Sequence, residues 1–159
     1  SEGVTLTDPD ALLDAWREAY EPPVGRRLRF YSALHGSGFD TAVRGVLGAQ
    51  PEGGWAILGS FSAAQWLSPY GRTSTQFLYA DDDGLVRLQE AIKLSSASKG
   101  ENVVVTLPKD AGILRDAVEP VPGVVCTSPV QTYLDLAAAG ERGREAAEHL
   151  RREKLAWRP

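Results

Sequence analysis

Three consecutive valines set the first constraint on this chain. The run Asn102-Val103-Val104-Val105-Thr106-Leu107 is β-branched at four positions and shows no alternation of apolar and polar residues. A strand built from it must be covered on both faces, which places it centrally in a sheet with other layers against it. The remaining sequence supplies those layers in alternation. Thr7-Asp8-Pro9-Asp10 opens a helix, with Asp8 able to cap free N–H groups and Pro9 suited to the first helical position, and Leu12, Leu13, Trp16, Ala19 and Tyr20 recur at helical spacing until Glu21-Pro22-Pro23 stops it. From Arg27 to Leu34 the chain alternates Arg27, Arg29 and Tyr31 with Leu28, Phe30 and Ser32, which predicts a strand with one buried face.

The pattern continues. Phe39 to Gln50 reads as a helix softened by Gly45 and Gly48, with Val43, Val46 and Leu47 on one face. Trp55 to Leu58 is a short apolar strand, and a helix from Ser60 to Leu67 begins directly after Gly59. Ser74 to Ala80 predicts another strand, which Asp81-Asp82-Asp83-Gly84 turns into a helix bearing Leu85, Val86, Leu88, Ile92 and Leu94. Ser95 to Gly100 reads as a polar loop, and Pro108 to Pro122 yields no assignment. Gly123 to Thr127 is a short strand, Ser128-Pro129 caps a helix to Ala139, and a last helix runs from Arg142 to Leu155. The expected fold class is therefore α/β (or α+β), a mixed sheet with helices packed on it, as one domain over residues 1–159 led by a helix and linker over 1–23.

Composition removes several classes of function. With 17 Lys plus Arg against 21 Asp plus Glu, the formal charge of −4 argues against a self-sufficient nucleic-acid binder. One cysteine, Cys126, and two histidines offer neither an internal disulfide nor a zinc-ligand cluster, and point to a reducing compartment, the cytoplasm. Cys126 itself, between Val125 and Thr127, reads as a buried small apolar side chain. No apolar run is long enough for a membrane span, and Ser1-Glu2-Gly3-Val4 has no secretion-signal character. That start reads as the trimmed edge of a longer product.

Candidate sites are few. Gly59-Ser60, between a strand and a helix, can present backbone N–H groups to a phosphate, or can simply turn the chain and cap the helix. The order strand, Gly-Ser, helix, strand resembles the nucleotidyltransferase fold, whose next strand carries two carboxylates two residues apart that hold divalent metals. Here Gln76 and Leu78 stand at those places, and neither replaces an anionic magnesium ligand. Gly59, Ser60, Arg72 and Gln76 therefore remain as candidate phosphate or ligand contacts, with no catalytic, cofactor-binding or metal-ligating set expected. Asp81-Asp82-Asp83 reads as turn and helix cap, His35 as a loop residue and His149 as a surface residue. The last helix carries Arg142, Arg144, Arg151, Arg152 and Lys154, with Arg158 beyond it, interrupted by Glu145, Glu148 and Glu153. It is either a solvated face or a surface for nucleic acid or an acidic partner.

Longer stretches carry a resemblance. Leu58-Gly59-Ser60-Phe61-Ser62-Ala63-Ala64, Leu67-Ser68-Pro69, Phe77-Leu78-Tyr79 and Gly100-Glu101-Asn102-Val103-Val104-Val105 precede the most specific piece. That piece is Pro129-Val130-Gln131-Thr132-Tyr133-Leu134-Asp135-Leu136 followed by Gly143-Arg144-Glu145-Ala146-Ala147. Together, over roughly Trp55 to Leu155, they resemble the C-terminal effector domain of AbiEi-type antitoxins of bacteria. The resemblance implies a non-catalytic domain, on a degenerate nucleotidyltransferase-like scaffold, of a type IV antitoxin and transcriptional regulator. It also implies an upstream winged helix-turn-helix that contacts DNA, and functional pairing with a nucleotidyltransferase-like toxin without a stable complex. No membrane partner and no cofactor are implied. The alternatives are an active nucleotidyltransferase-like enzyme acting on nucleotide or RNA, and a nucleic-acid module using the basic last helix. Within 128–139, Val130, Tyr133, Leu134 and Ala137 share one face and Gln131, Asp135 and Ala138 another. Tyr133 and Leu134 read as core and Asp135 as exposed or capping a neighbour, with a functional Gln131 or Asp135 as the alternative.

Overall fold

The computed structural model describes residues 8–156. Thr7 and Arg158 lie outside the described residues. The chain runs α1 (Pro9–Ala19), β1 (Gly25–Tyr31), α2 (Gly36–Arg44), β2 (Gly48–Gln50), β3 (Gly54–Leu58), α3 (Ser60–Leu67), β4 (Gln76–Ala80), α4 (Asp82–Ala91), β5 (Ser95–Ser96), β6 (Val103–Pro108), β7 (Val118–Val121), β8 (Val124–Cys126), α5 (Pro129–Ala137) and α6 (Gly140–Lys154). The strands form one mixed sheet in the order β5-β1-β6-β4-β3-β8-β7, with β2 paired to β3. β6 runs parallel to β4 and antiparallel to β1, so the valine run is flanked by strands on both sides. Val103, Val104 and Val105 are all buried, as a strand covered on both faces requires.

Strand register divides the sheet into two unlike faces. Phe30, Val103, Val105, Leu78, Ala80, Ala56, Leu58, Val124 and Cys126 share one cluster with Leu13, Phe39, Val43, Ala63, Leu88, Tyr133, Leu136, Ala146 and Leu150 from the six helices. The opposite face carries Arg27, Thr106, Tyr79 and Ile57 in one cross-strand row and Arg29, Val104 and Phe77 in the next. On that face Ile113, from a 3-10 turn over Gly112–Leu114, packs with Trp55, Ile57 and Tyr79, while Arg27, Arg29 and Tyr31 stay exposed. A buried helical layer and a half-open sheet face result.

Helix ends follow local chemistry. Asp8 accepts from the Ala11 N–H and Ser128 from the Gln131 N–H, each followed by Pro at the first helical position. Asp81 accepts from the N–H groups of Gly84 and Trp55, so the first aspartate of the triplet caps α4 and ties it to β3. Asn102 bridges the N–H and carbonyl of Ser32 and fixes the β1–β6 register. Gly143 gives the α5–α6 crossing its room, since a Cβ there would meet the Leu136 carbonyl and the Ala139 side chain.

Several sequence expectations need correction. The helix expected over Phe39–Gln50 starts at Gly36 and stops at Arg44, and Gly48–Gln50 becomes a strand. Gly48 has φ +100 and turns the chain back onto β3, a pairing the local apolar period does not encode. The strand drawn from Arg27 to Leu34 spans Gly25–Tyr31, because its partner β6 begins at Val103 opposite Phe30. Within the loop drawn at Ser95–Gly100, Ser95 and Ser96 pair with Tyr31 and Phe30. The unassigned 108–122 stretch holds β7, which pairs with β8. Trp16 and Val86, placed on apolar helix faces by spacing, are 47% and 51% exposed.

Candidate functional site

A cavity of about 340 Å³ opens on the half-covered sheet face. Phe77, Tyr79, Val104, Thr106 and Arg27 form its floor, and the start of α3, the end of α5 and the Tyr20–Pro22 segment form its walls. Each element delivers its residue for a local reason. Alternation along β4 turns Phe77 and Tyr79 to this face while Leu78 enters the core. Gly59 lets the Tyr79 ring approach, since a Cβ would lie 2.6 Å from Cε2 of that ring. Ser60 follows in a left-handed conformation, φ +50, and begins α3. The cap position belongs to Gly59, and Ser60 makes no side-chain capping bond, which corrects the expectation that Ser60 caps this helix. A non-glycine residue held in that conformation on a cavity wall is a local strain that surrounding structure must maintain.

Asp135 organises the polar wall. Its carboxylate accepts from the Tyr20 hydroxyl, from the Tyr79 hydroxyl at 2.8 Å and from the Gln131 amide at 3.1 Å. Gln131 also donates to the Tyr20 hydroxyl oxygen at 2.9 Å. Burial pushes the Asp135 carboxyl above its ordinary value, a shift partly offset by the three donors and by the charge of Arg27. Burial raises both tyrosines as well, and the neighbouring carboxylate adds to it, so they stay protonated donors. Arg27 stands over the Phe77 ring, 5.9 Å from guanidinium carbon to centroid. Phe61 and Phe77 pack at 5.8 Å. The cavity thus has an oxygen-rich end, a guanidinium and an aromatic side.

The four candidate ligand contacts separate into two places. Ser60 lines this cavity and Gly59 lies directly behind it. Arg72 and Gln76 border a different hollow with Asp40 and Trp66. There the Gln76 amide oxygen accepts from the Ser62 hydroxyl at 2.6 Å, and Ser62 in turn accepts from the Phe77 N–H at 2.8 Å. Leu78 is 2% exposed. The residues that sequence reasoning underweighted are Asp135, Gln131, Tyr20 and Tyr79. Gln131 and Asp135 lie four apart on the polar face of α5, a spacing visible in the sequence, but their tyrosine partners are remote in the chain.

The basic residues of α6 also diverge. Arg151 donates to Asp14 at 2.6 Å, to Tyr133 at 3.1 Å and to Asp10, and its side chain is 15% exposed. Arg142 donates to the Arg72 carbonyl. Arg144 and Arg152 border a hollow with Glu141, Glu145 and Glu148, and Lys154 is exposed. His35 is exposed at the start of α2, and His149 lies 5.1 Å from the Tyr70 ring, centroid to centroid. Cys126 is fully buried, and burial pushes its thiol up to about 12. No group of three metal-ligating side chains occurs among the described residues, and no described helix is long and apolar enough to cross a membrane.

A family model described as transcriptional regulator, AbiEi antitoxin, type IV toxin–antitoxin system, matches residues 5–156. No curated protein and no solved structure matches the chain.

Proposed function

Because this chain belongs to the AbiEi antitoxin family of transcriptional regulators from type IV toxin–antitoxin systems, we propose that residues 1–159 form a single non-catalytic C-terminal effector domain, which opposes a nucleotidyltransferase-like toxin. The toxin's effect is opposed without a stable complex, and promoter DNA is contacted by an upstream winged helix-turn-helix.

What occupies the positions of an acidic pair carries the reading. On β4, after Gly59-Ser60 and α3, Gln76 is engaged with Ser62, and Leu78 is in the core. The nearest aspartate beyond them, Asp81, is taken up as the α4 cap by the Gly84 and Trp55 N–H groups. A magnesium-dependent phosphoryl or nucleotidyl transfer needs charged oxygen ligands facing the nucleotide, and these side chains supply none there.

Two measurements test this. Expression of the chain, fused to its native upstream region, is expected to restore growth to cells producing the toxin of the same operon, while the purified proteins elute separately. Incubation of the domain with magnesium, each labelled nucleoside triphosphate and transfer RNA is expected to leave the label free. Transfer that disappears in Gln76→Ala or Asp81→Ala would overturn the non-catalytic assignment.

A further inference from the structure

The cavity contains two charged groups of opposite sign, Asp135 and Arg27, and among the described residues neither forms an ion pair within 4.0 Å. Both border the same space of about 340 Å³, a volume in the range of small-molecule sites. Asp135 is withdrawn from water while Arg27 reaches solvent at the edge of the same cavity, so a molecule with a positive group for the carboxylate and a negative group for the guanidinium complements both.

The two ends differ in what they accept. At the Asp135 end, both phenol hydrogens are committed to the carboxylate, so what faces the cavity is oxygen lone pairs and negative charge. That end takes an N–H-rich cation. Arg27, over the Phe77 ring, borders the same space, and the wall includes Ser60 and Phe61 in the first turn of α3. N–H groups in a first turn have no preceding helical carbonyl and favour an anion beside the guanidinium. Phe61, Phe77 and Val104 fill the space between with apolar surface.

We propose that this cavity binds a free α-amino acid as its zwitterion, the ammonium group on Asp135 and the tyrosine oxygens, the carboxylate on Arg27 and the start of α3, and an apolar side chain against Phe61 and Phe77. Charge balance favours it over a nucleotide. One carboxylate and one guanidinium match a ligand that is neutral overall, whereas a phosphate group would bring extra negative charge next to Asp135. The left-handed backbone of Ser60 fits the same role, since it is the turn that brings the first residues of α3 onto the cavity wall.

The test is calorimetric titration and thermal melting of the chain with each proteinogenic amino acid in turn. At least one with an apolar side chain is expected to bind saturably and raise the melting temperature. Its N-acetyl and its amide derivative, each lacking one charge, are expected to bind about tenfold more weakly or not at all. Arg27→Met, at an exposed position, is expected to melt like the parent and lose affinity by a similar factor. Asp135→Asn is expected to lose it too, and because that change also touches the Tyr20 contact, the Arg27 variant keeps the test independent of folding. Absence of binding by every amino acid up to millimolar concentration overturns the proposal. So does affinity unchanged in Arg27→Met or in the N-acetyl derivative, or saturable binding of adenosine monophosphate in place of any amino acid.

Discussion

Acid acts on Asp14 and Asp135 in opposite senses. Asp14 is held below its ordinary value of 3.8 chiefly by the hydrogen bond from Arg151, which outweighs the opposing effect of burial, and the charges of Arg151 and Arg17 add to it. Its contribution to stability is present above pH 3.8 and lost as pH falls through the depressed folded-state value. For Asp135, faced by Tyr20, Tyr79, Gln131 and Arg27, burial dominates and raises the value above 3.8. Protonation there favours the folded chain, so that contribution is complete below 3.8 and is lost as pH rises through the raised value. Urea midpoints measured across this range should separate the two. Asp14→Asn is expected to flatten the loss at the acid end, and Asp135→Asn the decline above it. Cys126, with its thiol pushed up to about 12 inside the core, is expected to resist iodoacetamide in the folded chain and to react fully in urea, as read by mass spectrometry.

Among the elements, the α5–α6 pair shows why one motif is so specific. Its glycine meets a backbone carbonyl, its two alanines are 3% and 1% exposed, and Tyr133 is fully buried with its hydroxyl accepting from Arg17 and Arg151. Gly143→Ala is expected to destabilise by about 2–3 kcal/mol in urea titration, because the helices must separate. Helix α1 docks through Arg151, which reaches Asp10 and Asp14 while those partners stay about half exposed. Arg151→Ala is expected to remove about 2 kcal/mol, less than a fully buried ion pair would lose. Central strand β6, the helix caps at Asp8, Asp81 and Ser128, and the strand–helix junction at Gly59 were legible because their signals lie within a few residues. β2 and β7 were not, since their pairing depends on β3 and β8 rather than on local pattern. The cavity was half legible. Ser60 announced itself by position, whereas Asp135 meets Tyr20 and Tyr79 across 115 and 56 residues of chain.

Over the whole molecule, charge is spread rather than gathered. The formal charge is −4, Arg151 is committed to aspartates, and Arg144 and Arg152 share their hollow with three glutamates. Residues of this chain alone are therefore expected not to retard duplex DNA in electrophoresis at physiological salt. Tyr20 is the C-cap residue directly after α1 and also a wall of the cavity, with its hydroxyl hydrogen-bonded to Asp135. A guest that tightens or loosens the phenol on entering that space changes how firmly the helix is seated, and by linkage the helix returns the effect to the guest in equal measure. Seating and occupancy are two readings of a single equilibrium.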